Sequence, residues 1–180
     1  MILVSTGTNG DSFDRLLSAV LAVGLDEELV IQHGPSTVRV PGASHIEYLS
    51  FADYQSLVSN ARVVVTHAGV GSVLVALLAG KRPVLVPRLA RFAEAVDDHQ
   101  LDFARRLASL GSVILVEDTD QLREAIEDAA RSRPWQTVHG AQSELIRDLG
   151  SHLSAVVGAR SSTGFEEIGS AAPHGAKRAS

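Results

Sequence analysis

The 180-residue chain contains no cysteine. That excludes disulfides and zinc–thiolate centres and fits a reducing compartment. No run reaches the roughly 18 apolar residues that a membrane span needs, so any work at a membrane requires something else to hold the chain there. The opening Met1-Ile-Leu-Val-Ser lacks the basic region and long apolar core of a secretory signal, and none is expected. No long basic stripe occurs and the formal net charge is −5, which argues against a dedicated nucleic-acid binder. The glycines after the first expected strand do not complete G-x-G-x-x-G, so a nicotinamide dinucleotide is poorly supported. There is no internal repeat.

What is present is a globular body. Hydrophobic residues make up 45% of the chain, enough for one domain with a sizeable core. Its organising stretch is residues 62–81, Arg-Val-Val-Val-Thr-His-Ala-Gly-Val-Gly-Ser-Val-Leu-Val-Ala-Leu-Leu-Ala-Gly-Lys. Arg62 to Thr66 is a β-branched run suited to a buried parallel strand. His67 to Ser72 reads as a tight turn, and Val73 to Ala79 as an apolar helix closed by Gly80 as C-cap. Strand, glycine turn and helix in that order leave free backbone N–H groups at the helix start, where the dipole favours an anion. Gly69 and Gly71 let a ligand approach the backbone; the same pattern also serves a plain connection with glycines for tight packing. The helix is apolar on every side, which predicts burial of its far side by more of this chain or by a partner.

The rest of the chain alternates in the same way. Ile2 to Ser5 is a predicted strand, followed by the turn Thr6-Gly7-Thr8-Asn9-Gly10. Asp11 is placed to cap a helix from Ser12 to Val23, with Phe13, Leu16, Leu17, Val20 and Leu21 on its apolar face and Gly24 at its end. Glu28 to Gln32 is the next strand and His45 to Leu49 a short one. Ser50 and Asp53 have the spacing of a capping box, opening a helix through Ala61. Pro83 to Pro87 and Ser112 to Val116 are further strands. Helices are expected from Asp97 to Leu110, with Asp97 and Gln100 as a second capping box, and from Asp118 to Arg131. Pro134-Trp135 marks a break before a helical stretch, Gln136 to Val157, with an apolar stripe that fits the domain's own core or a docking surface. The domain is drawn at 1–158, with a poorly ordered tail at 159–180. This alternation predicts an α/β fold, a doubly wound parallel sheet of Rossmann-like type. Right-handed crossovers then gather the turns at 6–10, 33–37, 67–72 and 88–100 at one carboxyl edge, where ligands bind in such sheets.

Several side chains near that edge have two readings. Asp97-Asp98-His99-Gln100 can grip sugar hydroxyls or simply cap a helix. Arg88 and Arg91, with Glu94, can pair a diphosphate or form a solvated charged loop. His67 follows a buried strand directly and is a base, a phosphate donor or a satisfied core histidine. No Ser–His–Asp or metal-ligand spacing surrounds it.

Taken together, Thr66-His67-Ala68-Gly69-Val70-Gly71-Ser72, Ala79-Gly80-Lys81-Arg82-Pro83, Val86-Pro87-Arg88 and Asp98-His99-Gln100 resemble the C-terminal domain of glycosyltransferase family 28. Val4-Ser5-Thr6-Gly7-Thr8, Phe13-Asp14-Arg15-Leu16 and Ile46-Glu47-Tyr48-Leu49 fit the same pattern, over residues 1 to about 130. The chain looks most like the small free-standing members of that family, which resemble the catalytic half of the dolichol-diphosphate N-acetylglucosaminyltransferase and have bacterial relatives in exopolysaccharide and capsule assembly. The resemblance implies one half of a GT-B enzyme that binds a UDP-sugar as donor substrate. It implies no other cofactor and no metal. Transfer would go to a lipid-linked saccharide acceptor held by a membrane-anchored partner subunit, which places the chain in the cytoplasm at the inner face of the membrane. It further implies that Gly69, Val70, Gly71 and Ser72 hold the diphosphate through backbone N–H groups, aided by Arg88. Asp98, His99 and Gln100 would hold sugar hydroxyls. Thr6, Gly7 and Thr8 would lie opposite, with Thr6, Thr8 and His67 as catalytic candidates. Where the family carries a glutamate contacting the donor ribose, this chain has Val75. That departure keeps open a non-catalytic enhancer or binding subunit. A regulatory nucleotide-binding domain unrelated to sugars is the third reading.

Overall fold

The computed structural model describes residues 1–132. The expected break at Pro134-Trp135, the helix from Gln136 to Val157, the boundary at 158 and the tail 159–180 lie outside the described residues. Within them, β1 (Ile2–Ser5), β2 (Leu29–Gln32), β3 (Ser44–Ile46), β4 (Val63–Thr66), β5 (Val84–Leu85) and β6 (Ile114–Leu115) form one parallel sheet. Their order is β3-β2-β1-β4-β5-β6. Helices α1 (Asp14–Val23), α2 (Phe51–Asn60), α3 (Val70–Leu78), α4 (His99–Ser109) and α5 (Leu122–Arg131) alternate with the strands. This is the predicted doubly wound sheet, and the order reverses between β1 and β4.

The strand residues explain the layers. Every residue of β1, β2 and β4 is buried, as their unbroken apolar runs require of strands covered on both faces. Side chains alternate. Ile2, Val4, Val63 and Val65 pack with Leu16, Leu17 and Val20 of α1 and with Leu122 and Ile126 of α5. Leu3 and Val64 face the other way, onto Val58 of α2 and Ala76 of α3. Leu85 meets Val73 and Leu77 of α3 and Phe103 and Leu107 of α4. The largely apolar helix α3 is therefore flanked on its own side of the sheet: Leu74 packs into the α4 cluster and Val75 into the α2 cluster. Leu78, at 76% exposure, is its one strongly exposed large side chain.

Ends differ from expectation for local reasons. Helix α1 starts at Asp14, and Asp11 is no cap; its carboxylate instead accepts from Asn9 Nδ2. Phe13 is drawn out of the helix by complete burial, with its N–H donating to Ser36 Oγ at 2.7 Å. Leu21 is exposed rather than on the buried face. Strand β5 is only Val84–Leu85, because Pro83 and Pro87 have no N–H to give a ladder. Strand β6 is likewise shorter than expected. A 3-10 turn, Thr119–Gln121, precedes α5. The box expected at Asp97 and Gln100 does not form. Asp98 is the N-cap of α4, and Gln100 Oε1 accepts from the Arg88 N–H at 3.2 Å instead. Gly80 sits one residue beyond the α3 cap, at φ 71. Its N–H donates to Leu77 and that of Lys81 to Ala76, a Schellman pair that needs this left-handed glycine.

Ser50 caps α2 as its spacing predicts, with the Asp53 carboxylate meeting the Ser50 hydroxyl rather than its backbone N–H. Ser50 Oγ accepts from the Asp53 N–H at 3.1 Å and donates to the Asp53 carboxylate at 2.6 Å. Ser50→Ala is expected to cost about 1 kcal/mol in urea unfolding. A change below a few tenths would mean that packing alone fixes the start of α2.

Candidate functional site

Register brings three strand ends level at the carboxyl edge: Ser5 of β1 lies beside Gln32 of β2 and Thr66 of β4. The chain leaves all three there, and a cleft of about 370 Å³ opens at the point where the strand order reverses. One side is the turn after β1, at Gly7 and Thr8. The opposite side is the β4–α3 turn, His67 and Gly69 to Ser72. The third is the start of α2, with Leu49, Ser50, Phe51 and Tyr54, closed by Val75 of α3.

Gln32 fixes the first wall. Its amide donates to the carbonyls of Gly7 at 2.9 Å and Glu47 at 3.0 Å, while its Oε1 accepts from the Gly7 N–H and from Ser5 Oγ. One buried side chain thus ties the β1 turn to the segment leading into α2. At the second wall, α3 starts at Val70 with Gly69 as N-cap, and no side chain caps it. The N–H groups of its first turn are the expected orphan donors of a helix start. Among the described residues lining the cleft there is no formally charged side chain. The local field is that of the helix terminus, together with the Arg88 guanidinium, which is near enough to act on His67.

His67 stands between the two walls, half-buried. Its Nδ1 accepts the Gly69 N–H at 3.0 Å, and Nε2 lies 3.1 Å from Ser72 Oγ. Burial, aided by the Arg88 charge and opposed by a Gln100 hydrogen bond, pushes its pKa down to about 4. The ring is therefore neutral near pH 7, and its one lone pair is already taken by the Gly69 N–H. It is a poor general base as it stands. A sign follows for stability. The folded-state pKa is below the unfolded value of 6.5, so the stabilisation is complete above that pH. It is lost as pH falls from 6.5 toward about 4. The slope cannot exceed about 1.4 kcal/mol per pH unit, and the partly open cleft reduces it. Urea midpoints at about pH 7 and about pH 5 are expected to fall further for the wild type than for His67→Phe. Equal falls would mean that His67 titrates as in the unfolded chain.

The glycines divide by role. A Cβ at Gly7, which has φ 82, would lie 2.4 Å from His67 Nε2, and one at Gly69 would lie 2.1 Å from His67 Cε1. Those two glycines make room for the imidazole. A Cβ at Gly71 meets nothing within 4 Å. Of the glycines in this turn, only Gly71 leaves its space open.

Several expected site residues are elsewhere. Thr6 is completely buried. Its hydroxyl donates to the Gln32 carbonyl, and its own carbonyl accepts from Arg88. Arg88 has 0% exposure and cannot reach a ligand in the cleft. Its guanidinium donates to the carbonyls of Thr6, Asp11, Ser12 and Glu94 and lies 4.6 Å from the Phe13 ring centroid. The Glu94 carboxylate, also buried, takes a two-pronged pair from Arg15 and the N–H of Leu89. Arg88 and Glu94 therefore form neither a diphosphate pair nor a solvated loop but a clamp joining residues 88–94 to the β1–α1 turn. Asp98 and His99 do not line the cleft. Asp98 accepts from the Ala90 N–H at 2.8 Å, and the backbone and ring of His99 hold the Asp97 carboxyl below the usual carboxylate range. Gln100 lies behind the cleft, bridging Arg88 and His67. Gly7, Thr8, His67, Gly69, Val70, Gly71 and Ser72 do come together. Sequence reasoning missed Gln32 and the wall at Leu49 to Tyr54. A glutamine ending the apolar run Leu-Val-Ile-Gln was the available signal for the first.

A family model described as Glycosyltransferase family 28 C-terminal domain matches residues 1–148. The UDP-N-acetylglucosamine transferase subunit ALG13 of Yarrowia lipolytica is 37% identical over 70 residues, 39% of this chain and 34% of that protein. The match thus spans about a third of that relative's length. Among solved structures, the glycotransferase of kitacinnamycin superposes with a TM-score of 0.60 at 22% identity, over 88% of this chain and 42% of that one. UDP-GlcNAc 2-epimerase of Methanocaldococcus jannaschii, solved with UDP-GlcNAc and UDP, superposes at 0.54 with 14% identity, over 83% and 45%. At such identities these structures speak for the fold: a Rossmann-like sheet of the kind that forms one domain of a GT-B glycosyltransferase.

Proposed function

The chain belongs to the glycosyltransferase family 28 C-terminal domain family, and from that premise we propose that it is the UDP-sugar-binding subunit of a two-part glycosyltransferase. The observation that carries this reading is the cleft itself. It offers an uncapped helix N-terminus to an anion at the point where the strand order reverses, with Gly71 leaving open space beside it. The diphosphate of the donor lies against Gly69, Val70, Gly71 and Ser72, with Thr8 on the facing wall. The apolar side formed by Phe51, Tyr54 and Val75 receives the nucleoside. Val75 offers a ribose no hydrogen bond, so affinity rests on the diphosphate end.

Binding is separated from catalysis by His67. Both of its ring nitrogens are engaged within the chain, and no Asp or Glu among the described residues lines the cleft to act as base. The base that activates an acceptor hydroxyl is therefore assigned to a second subunit. This favours the binding-subunit reading over a chain that transfers hexose alone. No described helix is long and apolar enough to cross a membrane. A membrane-anchored partner presents the polyprenyl-diphosphate-linked acceptor at the inner face, in polysaccharide assembly. The test is transfer from a UDP-sugar to lipid-linked acceptor in membranes, with and without co-expression of the neighbouring open reading frame. Transfer is expected only when both are present, with UDP binding by this chain alone. Transfer by the purified chain alone would make it the catalytic subunit. Absence of UDP binding would remove the donor-site assignment.

A further inference from the structure

Ser72 faces the cleft at the third position of α3, where the hydroxyl of a helical serine often turns back to bond a backbone carbonyl one turn earlier. Here its recorded partner is the imidazole of His67, 3.1 Å away. The direction of that bond is set on the other side of the ring. The Gly69 N–H can only donate, so Nδ1 must accept, at 3.0 Å. In a neutral imidazole the proton then sits on Nε2, where Ser72 Oγ lies at hydrogen-bond distance and accepts it, alongside the pull of Gln100 on the same ring. Turning the ring over would put Cδ2 where Nδ1 accepts the Gly69 N–H, so that bond fixes the orientation of the ring as well. The Ser72 oxygen takes the incoming N–H on one of its lone pairs, and its own hydrogen, which the protonated Nε2 cannot accept, is directed elsewhere.

We infer that His67 is a positioning residue: held in one tautomer by the Gly69 N–H, it turns the Ser72 hydroxyl into a donor aimed at the anion in the cleft. The inference rests on the donor-site reading above and assigns His67 a role other than base or ligand. It explains how an anion is held by a cleft whose described lining has no cationic side chain. Ser72–OH joins the N–H groups of the same helix turn as a further donor. Nothing is transferred; the His67 proton stays on Nε2 throughout.

A double-mutant cycle on UDP affinity tests the relay. Ser72→Ala removes the donor, and His67→Phe keeps a ring between the two glycines while removing both nitrogens. Ser72→Ala is expected to weaken UDP about tenfold, the worth of one hydrogen bond to a charged group. His67→Phe should weaken it by a similar factor in the wild type and by much less in the Ser72→Ala background, since the two act as one unit. Multiplying losses would overturn the relay and leave the donor site standing. Wild-type protein that fails to bind UDP would overturn the donor site, and the relay with it. A second measurement needs no variant. Nitrogen-15 spectra of the wild-type chain are expected to show His67 protonated at Nε2 and bare at Nδ1 near neutral pH. The opposite tautomer would overturn the inference whatever the affinities.

Discussion

Arg88→Met is expected to destabilise the protein by about 3–5 kcal/mol, the largest effect of any single substitution considered. Methionine roughly fills the volume, so the loss is polar. Four carbonyl oxygens, on Thr6, Asp11, Ser12 and Glu94, give up the donor they share. They belong to two segments far apart in the chain, the β1–α1 turn and the loop before α4, which the guanidinium holds together. The Glu94 carboxylate keeps its pair with Arg15, so no buried charge is stranded. Without that pair the loss would be greater. Arg88→Lys should recover only part of the loss, because one ammonium cannot span four acceptors in a planar fork. Urea unfolding measures both. A fully stable Arg88→Met protein with impaired UDP binding would mean that the arginine is a ligand for the diphosphate after all.

Gly71→Val is expected to reduce UDP affinity at least about tenfold while leaving the unfolding midpoint within about 0.5 kcal/mol of wild type. A Cβ at this position meets no protein atom within 4 Å, so a side chain can enter the cleft from here without a clash at its root. It covers the N–H groups at the start of α3. Gly69→Ala is the contrasting case, because its methyl collides with the imidazole at 2.1 Å and must disturb the turn itself. Calorimetric titration with UDP, beside urea unfolding of the same samples, separates a blocked site from a damaged one. Unchanged affinity in folded Gly71→Val would move the diphosphate away from this turn.

The sheet was legible because its strands carry unbroken apolar runs. The strands at 2–5, 29–32 and 63–66 are buried throughout, and such runs separated by helical periodicity admit few other folds. The turn at 67–72 was legible as a strand–glycine–helix connection at the carboxyl edge, and the structure places it on the cleft. What could not be read was which polar residues serve the site and which serve the fold. Arg88 beside a carboxyl edge looks like a diphosphate ligand. Only in three dimensions do four carbonyls and the Phe13 ring enclose it. Thr6 likewise turns inward, because Gln32 and Arg88 take its polar atoms. The glycines at 69 and 71 look alike in sequence, yet one accommodates a histidine and the other leaves a space. The wall from Leu49 to Tyr54 escaped notice because its residues sit in an ordinary helix-capping context, which does not say that the segment leading into α2 reaches the cleft. Fold signals are local and periodic. The site depends on which chain segments cross at one edge, and that is settled by long-range packing.

The central claim is that the first turn of α3 holds the diphosphate of a UDP-sugar. Titrating UDP into the nitrogen-15-labelled chain and following its backbone amide signals tests this most directly. The account predicts the largest saturable shifts at Val70, Gly71 and Ser72, with smaller ones at Gly7 and Thr8 and little change at Asp98 and His99. Shifts centred on Asp98 and His99 with α3 unmoved, or no saturable shift at all, would contradict it.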